Sequence, residues 1–319
     1  MFNFLSKGFE SRKKRLPILL KGREKLEFKI PSLFSNDQIM FEFLDACKYF
    51  EIETPIKCTF GSIRSSWNGG RSSIIKNFNA DEAASIIKKY NEYGISTCFT
   101  FTNYYITKDM LDDFVGNTLL EIASENENNY AIVSSDIIAD YIREKYPKIK
   151  LESSLLRPTY EFPNYTETPK YYDDLCEKFD KVMIRPEFGQ DLNYLRKIKN
   201  KDKIDILVNS NCVYKCPFSI KHYDRAVLLE KGEMSENTLM CNRRFLNKDS
   251  IHKNNIISNS EIDKIAKLGF NKFKLAGRNI NPMLFLHVLG TYIFDSSGVF
   301  QHILNYLYLK EVLVKNNKE

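Results

Sequence analysis

Three cysteines carry the most suggestive chemistry in this sequence. Cys212 and Cys216 stand four positions apart in Asn209-Ser210-Asn211-Cys212-Val213-Tyr214-Lys215-Cys216-Pro217; His222-Tyr223 follows closely and Cys241 further on. Two thiolates at this spacing reach one metal centre, and a third from the same stretch adds to the set. Iron–sulfur clusters take thiolates at such close spacings, often with a proline after one cysteine. Zinc takes the same donors tetrahedrally. The competing reading is ordinary buried thiols, because free cysteine is among the most buried residue types. Cys47 and Cys176 sit beside apolar neighbours in helical patterns and read as core. No fourth thiolate stands out. Cys98 has the polar parity of its strand but lies in mid-strand, while Cys58 shares the parity of Ile56 and Phe60 and reads as helix-facing. His222 is the nearest other donor.

A second group of residues falls at the ends of apolar runs. These are Asn103, Arg185-Pro186-Glu187, Asn209, Lys274 and Arg278, with Arg64 and Arg71 in the glycine-containing loop that carries the only tryptophan. Arginines gathered at one rim would bind a carboxylate or phosphate. Asn103, Arg185, Asn209 and Lys274 are the candidate substrate-binding residues. Glu187 and His222 are candidates to move protons, with Arg278 as a third catalytic candidate that orients substrate. Each also has a plain structural reading: Arg185 pairs with Glu187, and Asp136 caps a helix. No Ser-His-Asp constellation with a nucleophile elbow, no H-E-x-x-H helix and no Walker loop is present.

The elements that must position these residues follow from the alternation of short β-branched or aromatic runs with helical patterns. Strands are expected at Leu26–Ile30, Ile56–Phe60, Ile95–Thr102, Tyr130–Ser134, Ile149–Ser153, Lys181–Arg185, Ile204–Asn209 and Phe273–Ala276. Helices are expected at Asp37–Phe50, Asp81–Tyr93, Asp109–Ser124, Ile137–Tyr146, Gln190–Lys199 and Glu261–Leu268, with Asn79 or Asp81 as a cap and Gly94 as a stop. Strands alternating with helices argue for an α/β fold with a parallel sheet, and eight of them close a TIM-like (β/α)8 barrel. A distorted or incompletely closed barrel and an open doubly wound sheet are the alternatives; the open sheet lacks a glycine-rich turn after the first strand. In the third strand Ile95, Thr97, Phe99 and Phe101 share one face, and Ser96, Cys98, Thr100 and Thr102 the other.

The chain has 319 residues, 47 Lys+Arg against 41 Asp+Glu, a net charge of +6 and 43% hydrophobic residues. Those values exclude wholesale disorder and a dedicated polybasic nucleic-acid binder. Residues 1–25 read as a basic arm, with Arg12-Lys13-Lys14-Arg15, Lys21, Arg23 and Lys25 either solvated or touching RNA. Residues 26–319 read as a single barrel domain with a long cysteine-containing excursion at 209–272. Pro282–Phe294 and Val299–Val314 are expected as C-terminal closing helices. No apolar stretch approaches the ~20 residues that span a bilayer, and the first residues make a poor secretory signal. The odd number of cysteines disfavours a secreted disulfide scaffold. A cytoplasmic location is the expectation.

The order of these motifs resembles the collagenase-like peptidase family, unassigned peptidase family thirty-two. The resemblance rests on Asn103, Ile132-Val133-Ser134-Ser135-Asp136, Val182-Met183-Ile184-Arg185-Pro186-Glu187, the Asn-x-x-Cys-x3-Cys-Pro block with His222-Tyr223, and Phe273-Lys274-Leu275-Ala276-Gly277-Arg278. It runs from about Leu26 to Gly290. It implies a β/α barrel holding a 4Fe–4S cluster, with Cys212, Cys216 and Cys241 as ligands, and oxygen-independent hydroxylation of a small aromatic or an RNA base. A zinc peptidase with Glu187 as base, and a non-catalytic subunit beside a related barrel, are the other readings. The sequence departs from the family where a clear fourth cysteine should stand.

Overall fold

Ten strands define the described part of the chain: β1 (Glu27–Ile30), β2 (Ile56–Gly61), β3 (Ser96–Phe101), β4 (Tyr130–Val133), β5 (Lys150–Ser153), β6 (Lys181–Ile184), β7 (Ile204–Leu207), β8 (Asn209–Val213), β9 (Asn254–Ile256) and β10 (Lys272–Lys274). The structure is a computed structural model that describes residues 19–49, 51–69, 78–233, 254–277 and 280–294. Eight strands, in the order β1-β10-β7-β6-β5-β4-β3-β2, close into a barrel, and every neighbouring pair is parallel. β8 and β9 form a separate antiparallel ribbon. The barrel is therefore closed, not open at one seam.

Register decides which residues fill the lumen. Residues paired across parallel neighbours point to the same face. The pairs Lys29↔Cys58, Phe60↔Cys98, Cys98↔Tyr130, Ile132↔Glu152, Glu152↔Lys181, Met183↔Asp205, Leu207↔Lys274 and Lys29↔Lys274 follow one another around the ring. This is the inner face, since the Lys29 ammonium bonds Glu152 and Asp205 across the lumen. Cys58 thus faces inward, packed with Phe60, Cys98 and Ile132. That corrects the helix-facing reading from parity. The pairing of β1 and β2 shifts register between Phe28 and Lys29, and on β2 Lys57 is exposed while Ile56, Cys58 and Phe60 are buried, so here the apolar parity is the inner one. The third strand has the expected parity, with Cys98 and Thr100 inside.

The helices have local causes. The Asn79 side chain accepts from Glu82 N and starts the helix Ala80–Glu92; Gly94, at φ 72°, follows its end. Asp113 caps Phe114–Ala123 and Ser135 caps Asp136–Lys145, so Asp136 is in that helix's first turn and not its cap. Ser258 and Glu261 make a reciprocal capping box for Asn259–Lys267. Between β5 and β6 lie helices Leu156–Glu161 and Pro169–Lys178. Within Gln190–Lys199, expected as one helix, a single turn forms at Leu192–Leu195, started by Asp191, which accepts from Asn193 N and Tyr194 N; another turn, Pro186–Gly189, precedes it.

Backbone contacts separate two units, one of residues 27–35 and 56–279, which holds the barrel, and one of residues 1–26, 36–55 and 280–319. In the second unit, helices Asp37–Tyr49 and Pro282–Tyr292 carry the apolar core, and Phe43 meets Phe294 edge-on at 5.0 Å. Arg23, read as part of a solvated arm, is buried there and donates from Nε to Tyr292 O at 2.9 Å. The first eighteen residues and the expected helix Val299–Val314 lie outside the described residues.

Candidate functional site at the barrel mouth

The seventh strand ends at Leu207, and the chain then enters the ribbon strand β8. Asn209 makes that step rigid. Its Nδ2 donates to Ala276 O at 3.1 Å and its Oδ1 accepts from Ala276 N at 2.6 Å. The ribbon is thereby tied to the segment leaving β10. Cys212 lies on β8 and is exposed; Cys216 lies in the following turn and is buried.

The turn between the two thiols is held from below. Lys215 adopts φ 50°, the left-handed region, which costs a non-glycine residue about 1 kcal/mol. Its N–H donates to Glu187 Oε1 at 3.2 Å. Asn255 of β9, 1% exposed, donates from Nδ2 to the same carboxylate oxygen at 3.3 Å and to Cys212 O and Val213 O, each at 3.4 Å. Gln190 Nε2 donates to Asn255 Oδ1 at 2.9 Å and fixes the amide. Tyr165 donates its hydroxyl to Cys216 O at 3.4 Å, and burial pushes its pKa up to about 12. A pocket of about 50 Å³ results, walled by Arg185, Glu187, Cys212, Cys216 and Asn255 among others. The sequence thus brought four of its candidates to one place. Asn255 was missed, because a buried asparagine in a polar stretch carries no sequence mark.

A larger cavity, about 190 Å³, opens at the C-terminal ends of the strands. Its walls combine the side chains of Phe60, Ile132, Leu155, Leu156 and Leu207 with the hydroxyls of Thr100, Thr102 and Ser154. Lys274 lies at its base, with its ammonium 3.9 Å from the centroid of the Phe60 ring. Leu155, Leu207 and Tyr223 line both this cavity and the thiol pocket. The two spaces therefore share a wall.

Several candidates also make contacts within the scaffold. Arg185 is buried over the Tyr165 ring at 3.7 Å, donates to Phe162 O at 2.9 Å and pairs with Glu167 at 3.2 Å; Glu187 is further off, at 3.9 Å. Arg64 donates to Glu230 O at 2.8 Å and Leu229 O at 3.1 Å, where the helix Ser219–Lys231 ends. Asn103 donates to Ser66 O at 2.8 Å and accepts from Tyr105 N at 2.9 Å. Asp113 holds the same loop through Ser65 and Ser66, so Trp67 is fully buried against Phe101 and Tyr141. His222 sits in the first turns of Ser219–Lys231, beside Tyr223, and lines neither cavity. Arg71, Cys241 and Arg278 lie outside the described residues.

Beneath the mouth the lumen is filled by charge. Lys29 donates to Glu152 and Asp205, all three side chains almost wholly buried. Burial alone would lower the Lys29 pKa, but Asp205 and Glu152 raise it well above the ordinary value. Burial would raise that of Asp205, yet Lys29, Lys181 and Lys274 hold it below the ordinary carboxylate value. These residues did not figure among the candidates, although a charge flanked by apolar residues, as in Leu151-Glu152 and Ile204-Asp205-Ile206, was a readable signal.

The donor set can be weighed for a metal. Two soft thiol donors share one pocket, which suits iron–sulfur or zinc ligation. Among the described residues, no three of His, Cys, Asp and Glu gather into a complete ligand set. No helix of the described residues is long and apolar enough to cross a membrane. No family model and no curated protein matches the chain. Among solved structures, the C-terminal domain assigned to a chitinase from Desulfitobacterium hafniense DCB-2 aligns with a TM-score of 0.41 at 10% identity, over 89% of this chain and 99% of that one. The U32 peptidase Mk0906 aligns with a TM-score of 0.51 at 10% identity, over 79% of this chain and 93% of that one. The chain therefore has a U32 peptidase-like β/α barrel fold.

Proposed function

We propose that this barrel is a redox enzyme whose substrate cavity lies beside a thiolate metal centre, held by Cys212 and Cys216 together with Cys241. The observation that carries this reading is the common wall of Leu155, Leu207 and Tyr223 between the thiol pocket and the mouth cavity. A substrate in the cavity is separated from the thiols by one layer of side chains. A 4Fe–4S cluster on these ligands would supply one-electron transfer, as used in hydroxylation without oxygen; zinc is the alternative occupant. The chain's own residues do the positioning. Asn255 and Glu187 fix the turn that presents the thiols, and Asn209 locks that turn's strand to the end of β10. Glu187 Oε1 accepts from Lys215 N and Asn255 Nδ2. Its place in this reading is structural.

Anaerobic reconstitution with iron and sulfide tests the proposal. The expected result is brown protein with bound iron and broad visible absorption, lost in Cys212→Ser and Cys241→Ser. Protein that stays colourless and iron-free after reconstitution removes the redox reading; zinc bound in its place, with peptide cleavage, would replace it by the hydrolase.

A further inference from the structure

We propose that the mouth cavity binds a small monocarboxylate with an apolar body, its carboxylate on the Lys274 ammonium and its body against Phe60, Ile132 and Leu207. This names the substrate class of the site above and rests on the reading that the cavity is where substrate lies.

The lining makes the case. It offers one ammonium, from a lysine 8% exposed, and the aliphatic hydroxyls of Thr100, Thr102 and Ser154, each buried. None of the described lining residues is acidic. Among the described lining residues, a cationic ligand would meet only like charge. The Ser154 oxygen already accepts from Leu156 N at 3.1 Å, so its hydroxyl proton is directed to a further acceptor. The other described lining residues are Phe60, Ile132, Leu155, Leu156, Leu207, Tyr223, Ala276 and Gly277, a mostly apolar set that favours a hydrocarbon body. Size sets the scale: a dry cavity of about 150 Å³ holds benzene, so one of about 190 Å³ holds a single ring or a short branched chain with one carboxylate.

The charges below the cavity fit the same ligand. Lys274 pairs in register with both Lys29 and Leu207. Its charge is among those that keep Asp205 ionised, a role that belongs to the ammonium form. A dianionic phosphate fits less well, because it calls for several charged donors or a backbone nest. Among the described residues, the cavity wall contributes a single cation.

Calorimetric titration of the full chain with sodium benzoate, and with benzamide as the neutral isostere, tests the inference. Benzoate is expected to bind saturably and benzamide about tenfold or more weakly, the loss of a charge-assisted hydrogen bond. In Lys274→Met, benzoate binding falls by a similar factor while benzamide binding stays the same. Equal binding of the two probes to the wild type, unaltered benzoate affinity in Lys274→Met, or no saturable benzoate binding each overturns it. The wild-type comparison of the two probes stands even where the variant folds poorly. Iron content, measured on the same protein, keeps the two proposals apart. Benzoate binding without iron uptake leaves the ligand class intact and removes the metal centre; iron uptake without benzoate binding does the reverse.

Discussion

Lys29 and Glu152 meet across the full width of the barrel, because β1 and β5 stand four strands apart in either direction around the ring. Asp205, two strands from β1, completes the bridge. Removing the amine would leave two carboxylates facing each other in the lumen. Breaking one partner of a buried ion pair typically costs about 3–5 kcal/mol. Lys29→Met is therefore expected to lower stability by that order, and adding Glu152→Gln with Asp205→Asn to recover most of it. Urea denaturation of the single and triple variants measures both; a mild Lys29→Met would remove the bridge from the account of stability.

The same bridge sets a pH dependence. The Asp205 carboxyl titrates lower in the folded chain than in the unfolded one. Its contribution is present above the unfolded value, about 3.9, and is lost as pH falls through the folded value. The Lys29 contribution has the opposite sense. Its folded value is raised, so the stabilisation is complete below the unfolded value of about 10.4 and is lost as pH rises through the folded one. The network thus stays intact across the neutral range. Asp205→Asn should flatten the fall in urea midpoint below about pH 4, and identical acid limbs for wild type and variant would count against this assignment.

Asn255 donates to two carbonyls of the segment between the two thiols, Cys212 O and Val213 O, and to the Glu187 carboxylate. Cys212 is exposed and Cys216 buried, so metal-free protein should alkylate faster at Cys212. Asn255→Ala leaves the acceptors unpaired at a cost of about 1–3 kcal/mol, and the Cys216 rate should climb toward that of Cys212. Iodoacetamide labelling resolved by mass spectrometry reads the two sites separately. An unaltered Cys216 rate would mean that the turn holds itself.

Gly116 has no room for a side chain. A Cβ there would stand 2.2 Å from Trp67 Cε3. Gly116→Ala should cost about 1–3 kcal/mol by overpacking. It should also shift the fluorescence of Trp67, the only tryptophan in the sequence. An unchanged spectrum and melting temperature would show that the ring yields freely.

The strands were legible because β-branched and aromatic runs such as Ile95–Thr102 stand between capped helices, and the alternation of the two elements is enough to imply a parallel barrel. Inside and outside were less legible. In β2 the apolar parity of Ile56, Cys58 and Phe60 faces the lumen and the exposed Lys57 lies on the other face, so an apolar parity taken as helix-facing turns Cys58 the wrong way. Site residues split by a similar logic. Cys212, Cys216, Arg185 and Glu187 were found by type and spacing, and they do line one pocket. Asn103 and Asn209 were marked for the same reason, a polar side chain at a strand end, yet they bond loop backbone. Polarity at that position is demanded equally by ligands and by unpaired peptide groups. Only coordinates tell the two apart.

The salt-bridged layer across the lumen acts as a floor. With Lys29, Glu152, Asp205, Cys58 and Cys98 all closely packed there, a molecule taken in at the rim finds no passage out the far end. Among the described residues, a molecule held in the mouth cavity would therefore leave by the side it entered. On the redox reading proposed above, substrate and product would share that opening.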